Sequence, residues 1–366
     1  MPALTAEHDL IEREIERRLS DGSFPGGVLC IARSGSVIHQ RSFGLAIALP
    51  EKIPAAFDTV YDVASLTKPL ITTPLILLAV REGDLELDTS LGDLFENCPA
   101  DKKVITIADL LSHRAGFIDW YPLFARGTGI ADYRNAILEI PLTCPPRTET
   151  VYSCMGFILL AAMIEKVAGR PLIPLVEERI IKPLGLQRTS LGKPAVPLEK
   201  VAATEDSSFT EREMIKKFEL TYDFREGIIW GEPHDTNSFA AGGSAGNSGL
   251  FTTAEEALVL TEQFGPRSRL FDQETLTLVG KNETPFGPKH YTLGWQLASS
   301  PGCSAGPDLS PDSIGHTGFT GCSVWFDRRR DVTIILFTNR VHPQVSQADM
   351  AEVRAGICTL ALAYLA

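Results

Sequence analysis

The chain has 366 residues, and its 34 Lys and Arg against 46 Asp and Glu give a formal net charge of −12. So acidic a chain repels phosphate backbones and anionic headgroups, which excludes nucleic acid and anionic membrane as partners. Hydrophobic residues at 44% and charged residues at 22% describe a soluble globular protein of one large domain or two ordinary ones.

The opening Met1-Pro2-Ala3-Leu4-Thr5-Ala6-Glu7-His8-Asp9 has neither a basic nor an apolar secretory region. The longest apolar stretches, near Leu70–Val80 and Ile357–Ala366, are too short to span a bilayer. Seven cysteines at scattered spacing read as reduced thiols. A cytoplasmic setting is therefore expected.

Residues 5–20 predict an amphipathic helix, with Ile11, Ile15 and Leu19 four apart and Gly22 ending it. Gly27–Arg33 and Val37–Gly44 predict a hairpin turning at Ser34-Gly35. Residues 60–64 form a short strand-like run, and an apolar helix continues to about Val80. Gly83–Leu94 reads as loop. Helices are predicted at Ile107–Ser112, Tyr133–Leu138, Gly156–Val167 and Leu172–Ile181. Strand character returns at Tyr291–Leu297, Thr320–Asp327 and Val332–Thr338, with a turn at Arg328–Asp331 and a closing helix over Ser346–Leu365. Sheet-forming ends around a helical middle predict one α/β unit from residues 1–63 and 235–366, a helical domain over 64–234, and a cleft between them.

The chemistry starts at Ser65-Leu66-Thr67-Lys68-Pro69. Residues three apart share a helix face, so Ser65 and Lys68 can touch. Proline is tolerated only in a helix's opening turn, so Pro69 puts both at the helix start, where free N–H groups favour developing negative charge. A serine beside a desolvated lysine is an activated nucleophile. Ser190-Leu191-Gly192-Lys193 repeats the spacing by chance. Proton transfer needs a further group, for which Tyr152, in the loop before a helix, is a better candidate than Tyr133 in an amphipathic segment. Gly315-His316-Thr317-Gly318-Phe319 reads as the opening of a strand, with the Phe319 N–H placed to join the Ser65 N–H in an oxyanion hole. Gly242-Gly243-Ser244-Ala245-Gly246 matches a nucleophile elbow, but no buried strand precedes it, so it reads as a loop near the cleft. His113 is expected to support the loop after its helix. No metal-ligand spacing, phosphate loop or dinucleotide fingerprint occurs, so neither metal nor cofactor is expected.

Taken in order, Ser65-Leu66-Thr67-Lys68, Leu110-Leu111-Ser112-His113-Arg114-Ala115-Gly116, Tyr152-Ser153-Cys154 and His316-Thr317-Gly318 resemble the serine β-lactamase and penicillin-binding-protein-like hydrolases, class C-like branch. That branch includes class C β-lactamases, D-Ala-D-Ala carboxypeptidases, D-aminopeptidases and lipolytic esterases. Pro25-Gly26-Gly27-Val28, Gly294-Trp295 and Phe337-Thr338-Asn339-Arg340 extend the resemblance over nearly the whole chain. It implies an α+β fold, an antiparallel sheet flanked by helices plus a mostly helical domain. It also implies that Ser65 is acylated, that Lys68 and Tyr152 share proton transfer, that His316 takes the catalytic place of the family's lysine, that the Ser65 and Phe319 N–H groups hold the oxyanion, and that Cys154, Thr317 and Gly318 line the substrate site.

Two departures narrow the substrate. The family's Tyr-x-Asn ends here in Cys154, whose thiol is a poor replacement for an amide. The family's Lys-Thr-Gly begins here with His316, mostly neutral at pH 7, so a permanent cation is lost. A small ester or amide substrate is expected, processed by a carboxylesterase or peptidase-like amidohydrolase. The alternatives are a β-lactamase or D-Ala-D-Ala carboxypeptidase and, in another class, a non-catalytic binder of peptidoglycan fragments or of a partner. The sequence sets no oligomeric state.

Overall fold

The computed structural model describes residues 6–365 apart from Phe286; Thr5 of the first predicted helix lies outside them. The strands are β1 (Gly26–Arg33), β2 (Ser36–Ile47), β3 (Ile53–Pro54), β4 (Tyr61–Asp62), β5 (Ser190–Leu191), β6 (Leu250–Thr252), β7 (Gln296–Leu297), β8 (Ile314–Thr317), β9 (Ser323–Asp327) and β10 (Val332–Thr338). One antiparallel sheet has the order β3-β2-β1-β10-β9-β8-β7, and a smaller one the order β4-β6-β5.

Successive side chains on a strand point to opposite faces, and the central strands bury both. In β1, Val28 and Cys30 enter one apolar cluster while Leu29 and Ile31 enter another; in β10, Ile335 and Phe337 divide from Ile334 and Leu336 in the same way. The two strands pair in register, Gly27 against Thr338 through Arg33 against Val332, which joins the two ends of the chain.

Helices cover both faces. Ile11 and Ile15 of α1 (Ala6–Ser20) and Val353, Ile357 and Ala361 of the closing helix Met350–Tyr364 fill the Leu29 side. The helix Cys154–Ala168 and α2 (Thr73–Glu82) belong to the cluster on the Val28 side. The fold is α+β, an antiparallel sheet flanked by helices. Among the described residues no helix is long and apolar enough to cross a membrane.

Several boundaries differ from expectation for local reasons. A short helix, Leu91–Leu94, sits in the predicted loop, because Ser90 and Asp93 form a reciprocal capping box. The predicted strand Tyr291–Leu297 reduces to β7, since Gly294 at φ 85° folds the chain so that Tyr291 bridges to Gln296. Residues 318–321 make a turn closed by Gly321 N–H on the Gly318 carbonyl, so Thr320–Asp327 is strand only from Ser323. His316 consequently lies near the end of a strand and opens none. The closing helix starts at Met350, where Asp349 caps it, and not at Ser346. The Ser190 decoy lies on β5, where Lys193 cannot share a helical face with it.

Candidate active site

β4 delivers the chain to Ser65. Tyr61 and Asp62 pair with Thr252 and Phe251 of β6, and the Val63 N–H donates to the Leu250 carbonyl at 3.0 Å. Ala64 then takes φ 47°, a strained conformation for a residue with a Cβ. It is held there by its N–H donating to Asp62 Oδ1 at 2.8 Å, while Asp62 Oδ2 accepts the His234 N–H at 2.7 Å. Ser65 follows in a tight 3-10 turn, Ala64–Leu66, succeeded by a wide π turn over Lys68–Thr72 before α2. The Thr73 N–H closes the wide turn on the Lys68 carbonyl, and Pro74, with no N–H to give, stands in the opening turn of α2, where none is needed.

Lys68 is fully buried. Its Nζ donates to Ser65 Oγ at 2.9 Å and to the Asn247 carbonyl at 2.9 Å. Burial works against the ammonium, but the polar groups around it, Cys154 and Tyr152 foremost, outweigh burial and hold its pKa above the ordinary lysine value. Burial raises the Tyr152 phenol and the Cys154 thiol, with Lys68 opposing in each case. The Tyr152 hydroxyl interacts with both Ser65 and Lys68, and Lys68 Nζ lies 5.2 Å from the Tyr152 ring centre.

Tyr152 is held from behind. Ser153 caps the following helix by accepting the Met155 N–H at 3.1 Å and donates to the Ile118 carbonyl at 2.6 Å. The Ser153 N–H donates to His113 Nδ1 at 3.1 Å, and the His113 ring lies 4.6 Å from that of Tyr152. Burial keeps His113 neutral. Besides its own loop it therefore touches the Tyr152 ring and the backbone beside it.

The opposite wall is the free end of β8. β7 reaches only Ile314 and Gly315, so His316, Thr317, Gly318 and Phe319 form an open edge. Gly318 packs against the nucleophile turn so closely that a Cβ there would lie 2.3 Å from the Val63 carbonyl oxygen. Among the described residues the Phe319 N–H has no acceptor. Between the walls lies a cleft of about 430 Å³, lined also by Trp120, Glu211, Asp235, Arg340 and Arg354.

Burial, with the Lys68 charge beside it, pushes His316 from 6.5 down to about 3. Its Nδ1 donates to the Thr317 carbonyl at 2.8 Å, which leaves Nε2 a lone pair. Below pH 6.5 the unfolded chain takes up this proton and the folded chain does not, so the histidine costs stability progressively as pH falls toward about 3. The slope is at most about 1.4 kcal/mol per pH unit. Urea unfolding at pH 7 and pH 4.5 should therefore show a smaller acid loss in His316→Asn than in wild type; equal losses would contradict a buried neutral imidazole.

The structure thus brings together Ser65, Lys68, Tyr152, Cys154, His316, Thr317, Gly318 and Phe319. Tyr133 is absorbed in packing, with its hydroxyl on the Asn237 carbonyl. Ser244 is buried and donates to the Ser248 carbonyl at 2.7 Å. Sequence reasoning missed Asn247, whose carbonyl receives Lys68, and Asp62, which ties Ala64 to His234. The Gly242–Gly249 run marked a loop by the cleft but carried no sign of which carbonyl would turn toward Lys68.

With this geometry in place, comparison with known proteins is informative. The β-lactamase family profile matches residues 11–358. The chain belongs to the β-lactamase family. Its place is on the class C-like branch. An Escherichia coli (strain K12) protein named "Putative D-alanyl-D-alanine carboxypeptidase" is 30% identical, over 92% of this chain and 83% of its own length. An N-acetylmuramyl-L-alanine amidase of Bacillus subtilis (strain 168) is 29% identical, over 92% and 81%. The solved structure of EstCE1, a hydrolase with promiscuous acyltransferase activity, superposes with a TM-score of 0.74 at 19% identity, covering 97% of this chain and 98% of that one, and shows the shared fold. As a member of the β-lactamase family the chain is a serine hydrolase.

Proposed function

We propose that this β-lactamase-family member hydrolyses small esters, or amides of modest demand, through an acyl-enzyme on Ser65. The observation that carries the reading is His316. A neutral imidazole with Nδ1 already committed to Thr317 presents only a lone pair, which repels the carboxylate a family lysine would attract. Cys154 points the same way, because a half-buried thiol at the cleft is only a weak donor and a weak acceptor, where asparagine offers a substrate amide strong groups of both kinds.

In this mechanism the Tyr152–Lys68 pair first gives up one proton to solvent; Ser65 Oγ then attacks the substrate carbonyl, and its proton passes to the site so vacated. The Lys68 ammonium lowers the cost of a transient Tyr152 phenolate. Negative charge on the former carbonyl oxygen is met by the Ser65 and Phe319 N–H groups. Collapse breaks the bond to the leaving alcohol or amine, which recovers the proton, and water then repeats the sequence on the acyl-enzyme. Wild-type protein should turn over short-chain p-nitrophenyl esters and leave nitrocefin nearly untouched; the reverse preference would overturn the ester reading. Restoring both family groups, Cys154→Asn with His316→Lys, should raise nitrocefin acylation about tenfold or more, the equivalent of one charge-assisted hydrogen bond. An unchanged rate would show that these two positions do not set the preference.

A second reading, a carboxypeptidase like the E. coli relative, has its own observation. Arg340 and Arg354 line the cleft, and among the described residues neither is ion-paired with a carboxylate. They supply positive charge elsewhere in the cleft, suited to a peptide C-terminus. Release of D-Ala from a D-Ala-D-Ala peptide faster than ester turnover would favour it.

A further inference from the structure

Arg354 stands on the closing helix, outside every motif that marks the active site, yet it lines the cleft and is only 8% exposed. Its Nη2 donates to the Gly318 carbonyl at 3.1 Å and lies 3.5 Å from the Cys322 carbonyl, and its Nε has no partner among the described residues. The Gly318 carbonyl and the Phe319 N–H are the two ends of one peptide group, and that group is a rigid plane. Whatever holds the carbonyl therefore aims the N–H. We propose that Arg354 is a positioning residue for the oxyanion hole, orienting and polarising the Phe319 N–H through the Gly318 carbonyl. The inference rests on the acyl-enzyme reading above.

Three features support a role beyond folding. A buried guanidinium without a carboxylate is unfavourable, because desolvation is not returned by an ion pair. The carbonyl it contacts would not be orphaned by its loss, since Gly321 N–H already donates there at 3.1 Å, and the Cys322 carbonyl already accepts the Gly318 N–H at 2.7 Å. Arg340 anchors the next link, its Nε donating to the Phe319 carbonyl at 2.9 Å while its guanidinium stacks 4.9 Å from the Phe319 ring. With Gly318 pressed on Val63, the loop's position is set by packing, and the tilt of the 318–319 peptide is shared between the Gly321 N–H and Arg354, the one charged donor on that carbonyl. A hydrogen bond from a cation to a carbonyl also strengthens the donor at the far end of the same amide.

The test compares Arg354→Met and Arg354→Lys with wild type on a short-chain p-nitrophenyl ester. Thermal melting and the infrared carbonyl stretch of a ¹³C-labelled acyl-enzyme on Ser65 are followed alongside. Arg354→Met should lose about 10- to 100-fold in kcat, less than removal of an oxyanion donor itself, with KM within about twofold and melting little changed. Its acyl carbonyl stretch should move to higher frequency as the hydrogen bond weakens. Arg354→Lys, which keeps a charged donor without the planar fork, should fall between. Wild-type kcat and stretch in Arg354→Met, or kcat and KM moving together with lost melting temperature, would overturn the proposal. Should Arg354→Met not fold, Arg354→Lys decides: lowered kcat with a shifted stretch supports it, and wild-type values overturn it. A wild-type protein that forms no adduct on Ser65 overturns the acyl-enzyme reading and this inference together; Ser65 acylation with an indifferent Arg354 overturns the inference alone.

Discussion

Ser65→Ala should abolish fluorophosphonate labelling and lower ester turnover by about 10⁴-fold or more, while leaving the melting temperature unchanged. The loss is large because the covalent route disappears and only cleft binding and the backbone N–H groups remain. The fold should not notice, since Ser65 is half-buried, the Asp62 and Leu250 bonds that shape its turn are made to the backbone of Ala64 and Val63, and Lys68 keeps the Asn247 carbonyl. Intact mass after exposure to the probe gives the cleanest readout, with one adduct in wild type and none in the variant. An adduct that survives Ser65→Ala would place the nucleophile elsewhere. Ser244 is a poor second candidate, as its hydroxyl is buried and already bonded to Ser248.

Lys68→Met should lose about 10³-fold in kcat yet melt at the same temperature or higher. A positioned proton-transfer group contributes about 10²- to 10⁴-fold, and Lys68 serves two groups at once, Ser65 and Tyr152. The stability side follows from burial. Lys68 is 0% exposed, and its hydrogen-bond partners are a hydroxyl and a carbonyl, with no carboxylate among them. The polar groups around the ammonium offset its desolvation, and an apolar chain of similar length removes both effects while filling the same space. Against that stands the Asn247 carbonyl, which loses its donor at a cost of about 1–3 kcal/mol, so the two effects offset. A variant that unfolds several degrees earlier would show that Lys68 is a structural residue first. One that retains turnover would remove it from proton transfer.

Both predictions concern residues legible in the sequence, and the reason is local. An i, i+3 spacing followed by proline is a property of a few consecutive residues. The hairpin turning at Ser34-Gly35 is likewise a local signal, and β1 and β2 pair antiparallel across it. Where the reading of elements slipped, a turn had intervened, as at Gly294 and at Gly318–Gly321, and turns cut strands shorter than apolar content suggests.

The cleft itself depended on contacts between distant parts of the chain. Lys68 meets Asn247 across 179 positions and Asp62 meets His234 across 172, and no periodicity links such pairs. The charge state of His316 was equally out of reach: its identity suggested a residue mostly neutral at pH 7, but only full desolvation beside Lys68 makes it firmly so. Arg354 shows the division most plainly. By sequence it is one basic residue on an amphipathic closing helix, and packing that helix under the sheet is what brings its guanidinium to the Gly318 carbonyl. By itself the sequence determined the pairing of Ser65 with Lys68 and the strands that carry the core, because spacing and hydrophobic pattern travel with the chain. The tertiary structure alone decided which carbonyl receives the lysine, which histidine stays uncharged and which arginine reaches the oxyanion loop, because desolvation and long-range contact exist only once the chain has folded.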